Sequence, residues 1–207
     1  MTMLPVLPPY ADETTVSWCA RVAHFHTGLN CSDFLKMTEI SQANVMDLSD
    51  EAVKRLSNLT GVSETQILGC GPQKAGERLL TYKGEVFGSR FMTRTYTSYC
   101  PACLLDDAIK EANGNRVGRL SWMLAPVRVC PIHRIILTRR KNSGYSGRFQ
   151  NMNEVAPSDQ ELVAQVAVAE AAIVSPLQSY VLDRFIAGKG SAWMDAQQID
   201  QAARACE

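Results

Sequence analysis

Four side chains with metal-ligating chemistry stand in two matched pairs, Cys100-Pro-Ala-Cys103 and, after 26 intervening residues, Cys130-Pro-Ile-His133. Two residues between ligands let each pair turn back as a knuckle. Both ligand atoms then point to one centre about 2.0–2.3 Å away, as tetrahedral zinc requires. Proline at the second position stiffens both turns. Three thiolates and one imidazole fill all four positions and leave none for a substrate water. The spacing therefore predicts one structural Zn2+ on Cys100, Cys103, Cys130 and His133. Four unrelated reduced side chains are the competing reading, and the match between the two pairs weighs against it. A Cys130/His133 nucleophile needs a free cysteine, and a metal-dependent hydrolase needs an open coordination position; the four-ligand count opposes both.

Other chemistry is thin. His24 and His26, with Cys19 and Cys31 nearby, could form a second metal site, but surface histidines beside buried thiols are the simpler reading. With three histidines, one of them assigned, no Ser-His-Asp arrangement can be argued. No Walker-type glycine loop is present, and Gly69-Cys-Gly71 alone does not make a nucleotide site.

Charge is unevenly spread. The 207 residues balance 21 Lys/Arg against 21 Asp/Glu. Residues 1–80 carry 6 basic and 9 acidic side chains, residues 81–148 carry 12 and 4, and residues 149–207 carry 3 and 8, giving −3, +8 and −5. A neutral chain does not coat nucleic acid by bulk charge, but a basic middle can grip phosphate locally. The surplus surrounds the metal ligands: Arg116, Arg119, Arg128, Arg134, Arg139, Arg140, Lys141 and Arg148. Arg128, Arg134, Arg139, Arg140 and Lys141 are the candidate contacts to phosphate or to an acidic protein partner; a solvated loop before the Gly/Ser-rich 142–147 is the alternative.

These groups need elements to position them. A proline-rich start reads as an extended arm. Val16, Cys19, Ala20 and Ala23 have helical spacing, with Asp12 or Thr14 as cap and Gly28 as stop. A polar segment runs from Thr38 to Asp47. From Leu48 to Leu68, Val53, Leu56 and Leu59 line one helix face, Thr60-Gly61-Val62-Ser63 breaks it, and Ser63 caps a helix with Ile67 and Leu68. This is the outline of a helix-turn-helix. The second helix carries no Lys or Arg, and such turns often serve packing only. Residues 70–99 read as loops and short strands. Ser158-x-x-Glu161 is a capping box opening a buried helix that runs towards Val174. Helices from Pro176 to Ala187 and from Ala192 to Ala205 follow, separated by a break at 188–190.

Seven cysteines without a secretory signal point to a reducing compartment, the cytoplasm, and the apolar stretch 162–174 is too short to span a membrane. The fold expected is mainly α: a helix-turn-helix-like domain (1–80), a small zinc-finger module with short β strands (81–148) and a C-terminal helical segment (149–207).

Three features carry a resemblance to the TniQ family, the target-selection subunits of multi-component bacterial transposons. They are Leu4-Pro5 through Glu13 followed by Ser17-Trp18-x-x-Arg21-x-Ala23, the Thr60-Gly61-Val62 break, and the series Cys-Pro-x-Cys, Arg119-Leu-Ser-Trp122, Cys130-Pro-x-His133. The resemblance spans roughly residues 4–140. It implies a non-enzymatic adaptor linking a target, either DNA or a guide-RNA effector complex, to an AAA+ ATPase that recruits the transposase. It implies the same four zinc ligands, and Trp18 and Trp122 as core anchors. Arg134 stands where a glycine is common, and the chain ends soon after the shared region, which favours bridging over independent DNA reading. A homodimer through the 162–174 helix is compatible with this reading, as is a free-standing zinc-containing transcription regulator reading DNA through residues 48–69.

Overall fold

The computed structural model describes residues 2–110, 114–142, 150–186 and 191–206. About half of them are helical, with five short strands in two small sheets. The expected break at 188–190, the loop at 143–147 and Arg148 lie outside the described residues. Among the described residues, no helix is long and apolar enough to cross a membrane.

The first core is helical. Helix α1 (Thr15–Thr27) starts where the Thr14 hydroxyl accepts from the Ser17 N–H, and ends at Gly28 with φ 68°, a conformation glycine adopts without steric cost. Helix α2 (Cys31–Met37), capped by Asn30, follows, and within the expected polar segment 38–47 a short helix forms, α3 (Gln42–Met46). Helix α4 (Asp50–Thr60) stops at Gly61, φ 75°, and Ser63 with Gln66 makes a complete capping box for the single-turn α5 (Glu64–Leu68). Trp18, Phe34, Leu35, Leu56 and Ile67 fill this core.

The N-terminal arm is held against that core by buried polar groups. The Trp18 indole N–H donates to the Leu7 carbonyl at 2.8 Å, and Arg21 Nη2 donates to the Pro8 carbonyl at 2.7 Å. Arg21 pairs with Glu13 at 2.8 Å, with both side chains almost fully sealed from solvent. Burial pushes the Glu13 carboxyl up while Arg21 pulls it down. The arm also crosses the Gly61 turn, where a Cβ would lie 2.8 Å from a Thr2 methyl.

The same residues lock the helical part to the rest. Ser17 Oγ donates to Glu13 and accepts from the Gly118 N–H at 2.8 Å; the Thr14 N–H donates to the Gly118 carbonyl, and the Leu120 N–H to the Asp12 carbonyl. Asp12 also accepts from the Ser121 N–H and hydroxyl. Gly118 admits no side chain, because a Cβ would sit 1.9 Å from the Gln150 carbonyl.

The second core gathers everything after residue 79. Strands β1 (Gln73–Lys74), β2 (Leu79–Tyr82) and β3 (Glu85–Gly88) form an antiparallel meander. Strand β4 (Tyr96–Tyr99) pairs antiparallel with β5 (Thr138–Lys141), Tyr99 opposite Thr138. Between them lie α6 (Pro101–Lys110) and a 3-10 turn at Leu120–Met123. The C-terminal helices α7 (Met152–Val155), α8 (Asp159–Ala167), α9 (Pro176–Ile186), α10 (Ala192–Asp195) and α11 (Ile199–Ala205) complete the same core through Met152, Leu162, Val181 and Ile199.

Two helix expectations are corrected. The helix expected to run to Val174 stops at Ala167, and of α8 only Leu162 is buried; Val163, Val168 and Ile173 are 57, 80 and 91% exposed. The chain straightens because its backbone finds other partners: the Ile136 N–H donates to the Glu170 carbonyl and the Ala172 N–H to the Arg134 carbonyl. The last helix is also split in two, α10 and α11. Arg184 occupies the break, donating to the Met194, Asp195 and Gln197 carbonyls while it forks onto Glu85 at 2.8 and 3.0 Å.

Replacing Arg21 by Met leaves Glu13 buried without its counter-ion. We expect a loss of about 3–5 kcal/mol in urea unfolding; a loss below 1 kcal/mol would show that the pair does not hold the arm.

Candidate metal centre and its basic surroundings

The two knuckles meet because β4 and β5 pair. Cys100 directly follows β4 and opens α6, which carries Cys103; the second knuckle runs into β5 through a tight turn in which the Cys130 N–H donates to the Ile135 carbonyl and the Arg134 N–H to the Cys130 carbonyl. A helix α9 side chain fixes the approach. Gln178 accepts from the Arg128 and Val129 N–H groups and donates to the Val129 carbonyl at 2.6 Å.

The ligand atoms of Cys100, Cys103, Cys130 and His133 all lie within 4.8 Å of one another, and the three cysteines are buried. His133 Nδ1 is 3.5 Å from Cys100 Sγ, 3.3 Å from Cys103 Sγ and 3.7 Å from Cys130 Sγ, and the Cys103 and Cys130 sulfurs are 3.6 Å apart. A tetrahedron with metal–ligand bonds of about 2.0–2.3 Å has edges of about 3.3–3.8 Å. The four residues fit one metal ion.

Electrostatics agree. Hydrogen bonds from Cys100 and Cys103 hold the Cys130 thiol far below the ordinary thiol range, whereas the contacts with Cys100 and Cys130 push Cys103 far above it. Cys100, lowered by Cys103 but raised by Cys130 and by burial, stands at about 11. The sulfurs therefore share ionisation, and a divalent cation among them removes that penalty.

Sequence reasoning missed the residue behind the imidazole. Asp106 Oδ2 lies 3.3 Å from His133 Nε2, one helical turn after Cys103, and presents Nδ1 to the sulfurs. The neighbouring Asp107 forks onto Arg119 at 2.7 and 2.9 Å, and the Arg119 guanidinium lies 4.7 Å over the Trp122 ring. The signal was present as an acidic pair one turn past a ligand. Cys19, Cys31 and Cys70 are buried core thiols: burial raises Cys19 strongly and takes Cys31 and Cys70 to about 12. Among the described residues, His24, His26, Cys19 and Cys31 form no metal cluster; His24 Nδ1 instead meets Asn115 Oδ1 at 2.9 Å.

The basic side chains separate into two kinds. Arg116 pairs with the exposed Asp159 and Arg119 with the buried Asp107, so both cations already have a counter-ion. Arg128 and Arg134 are exposed beside the second knuckle, and Lys141 is exposed at the end of β5. Arg139 is half-buried, reaches the Val127 carbonyl at 3.5 Å and is lowered by burial and by nearby Arg128, while Arg140 donates to the Val155 carbonyl. Arg134 holds φ 55°, the left-handed region that glycine favours.

The TniQ family model matches residues 4–137, from the arm through both knuckles. The chain belongs to the TniQ family. Trp18 and Trp122, implied by the earlier resemblance to be anchors, are 0 and 1% exposed. A search of curated proteins finds no match. TniQ membership carries a transposition-associated function, in a family of non-catalytic adaptors. The motif residues of this TniQ chain are the ones that build the junction: Glu13, Ser17 and Arg21 on one side, Arg119 and Ser121 on the other.

Cys103→Ser should abolish metal binding in native mass spectrometry and sharply lower the melting temperature, since structural metal binding is folding free energy of roughly 10 kcal/mol or more. Asp106→Asn should keep all four ligands yet weaken the metal about 10–100-fold in chelator competition. Unchanged competition would remove Asp106 from the centre.

Proposed function

We propose that this protein is a target-selection adaptor in DNA transposition. It links a target, DNA or a guide-RNA effector complex, to an AAA+ ATPase and carries out no chemistry itself. The observation that carries the reading is the TniQ match across both knuckles, on a donor set that is complete without water. Zinc is the ion that three thiolates and one imidazole select. When bound, it cross-links the two knuckles. The chain's own residues do the rest: Asp106 orients His133, Gln178 holds the approach to Cys130, and α6 ties the centre to Arg119.

Arg128, Arg134, Arg139, Arg140 and Lys141 supply the partner face. Arg128 and Arg134 are exposed at its edge, while Arg139 and Arg140 lean back onto backbone carbonyls. A stand-alone transcription regulator is the second reading, since α4 and α5 meet across Gly61. It is the weaker one: α5 is one turn long, carries no cation, and the arm lies over the turn.

Fluorescent duplex DNA titrated with the protein, alone and with an ATP-loaded AAA+ transposition ATPase, separates the two. An adaptor binds weakly and without sequence preference until the ATPase is present. Tight, sequence-selective binding by the protein alone would overturn the adaptor reading. Arg128→Glu with Arg134→Glu should leave the melting curve in place and weaken the ATPase-dependent complex several-fold, with a shallower salt dependence.

A further inference from the structure

A cleft of about 560 Å3 opens between the end of the β2–β3 hairpin and α11, away from the metal ligands. Its volume lies in the roughly 300–1,000 Å3 range of small-molecule sites. Three guanidinium groups surround it. Arg78 precedes β2 and meets Ser89 across the hairpin, Arg90 lies on the short 3-10 turn after β3, and Arg204 comes from α11. Arg78 and Arg90 are exposed and make no ion pair among the described residues. Phe91, Ala125, Pro126 and Ala203 give the cleft an apolar wall.

Asp200 is the unusual group. It is 7% exposed, and its Oδ2 accepts from the Gly88 N–H and from Arg204, both at 3.1 Å, which pins α11 to the end of the hairpin. Gly88 permits this approach, because a Cβ there would lie 3.1 Å from Asp200 Oδ2. Exposed cations beside an apolar wall fit a ligand that carries both an anion and a flat apolar face.

We propose that this cleft binds a nucleotide, its phosphate on Arg78 and Arg90 and its base against the Phe91–Pro126 wall. Bare phosphate or an acidic side chain satisfies the arginines only and adds an anion beside Asp200. A nucleotide also supplies the flat face that the apolar wall can cover. The same chemistry comes from a free nucleotide or from one residue of a single strand. Neither Arg128 nor Arg134 lines the cleft, and its occupancy needs no ATPase.

The test uses the full chain with [13C]methyl-alanine labelling and two probes, AMP and a fluorescein-labelled single-stranded DNA octamer. The Ala125 methyl resonance should shift with one or both probes. Arg78→Ala and Arg90→Ala, both surface changes, should each weaken binding about tenfold or more. Arg128→Glu with Arg134→Glu should leave it unchanged. AMP binding identifies a free nucleotide as sufficient; a response to the octamer alone identifies the strand. The proposal is overturned if neither probe moves the Ala125 resonance, if the Arg78 and Arg90 variants bind as the wild type, if the Arg128/Arg134 pair abolishes binding, or if inorganic phosphate competes as well as AMP. These outcomes are independent of the DNA titration with the ATPase, so either reading can fail alone.

Discussion

Three thiols and an imidazole with all ligand atoms inside 4.8 Å repel one another once more than one sulfur ionises. That constraint organises the second half of the molecule. One cation satisfies it, and to bring the ligands that close, β4 must pair with β5, α6 must start at Cys100, and the second knuckle must fold tightly onto Cys130. Asp106, Gln178 and the Asp107–Arg119 fork then hold these pieces from three sides. Because C-terminal residues as distant as Ile199 share the same core, the centre is built into a packed unit rather than hung on a loop.

A second lock joins this unit to the N-terminal helices. Asp12 to Arg21 and Val117 to Trp122 exchange backbone and side-chain hydrogen bonds through buried Glu13, Ser17 and Gly118. Buried polar networks of this kind cost desolvation and return a single defined arrangement when every member is satisfied. For a protein proposed to bridge two assemblies, that arrangement matters. The arm and the metal unit are joined by these packed, hydrogen-bonded groups.

The metal ligands were legible in the sequence because their chemistry is local: two residues between ligands define a knuckle wherever it occurs. The Thr14 and Ser158 caps and the Gly28 and Gly61 stops were legible for the same reason. What local pattern could not show was competition from distant backbone. The apolar run 162–174 has helical character, yet residues 168–172 leave the helix to pair with 134–136, and its valines end exposed. The helix at 42–46 lay hidden in the polar segment 38–47, and those at 31–37 and 42–46 span only seven and five residues, too few for a clear helical period. Among the basic residues, composition alone could not separate Arg116 and Arg119, consumed by Asp159 and Asp107, from Arg128 and Arg134. Arg78, Arg90 and Arg204 are gathered by tertiary packing across more than half the chain, and no sequence window contains them.

The central claim is that the metal centre is closed and structural, so that the protein acts by contact and not by catalysis. X-ray absorption at the zinc edge on the purified protein addresses it directly. The account predicts three sulfur scatterers at about 2.3 Å and one nitrogen at about 2.0 Å, with no exchangeable oxygen. A shell containing a water oxygen in place of one ligand, or a folded protein that holds no metal at all, would contradict it.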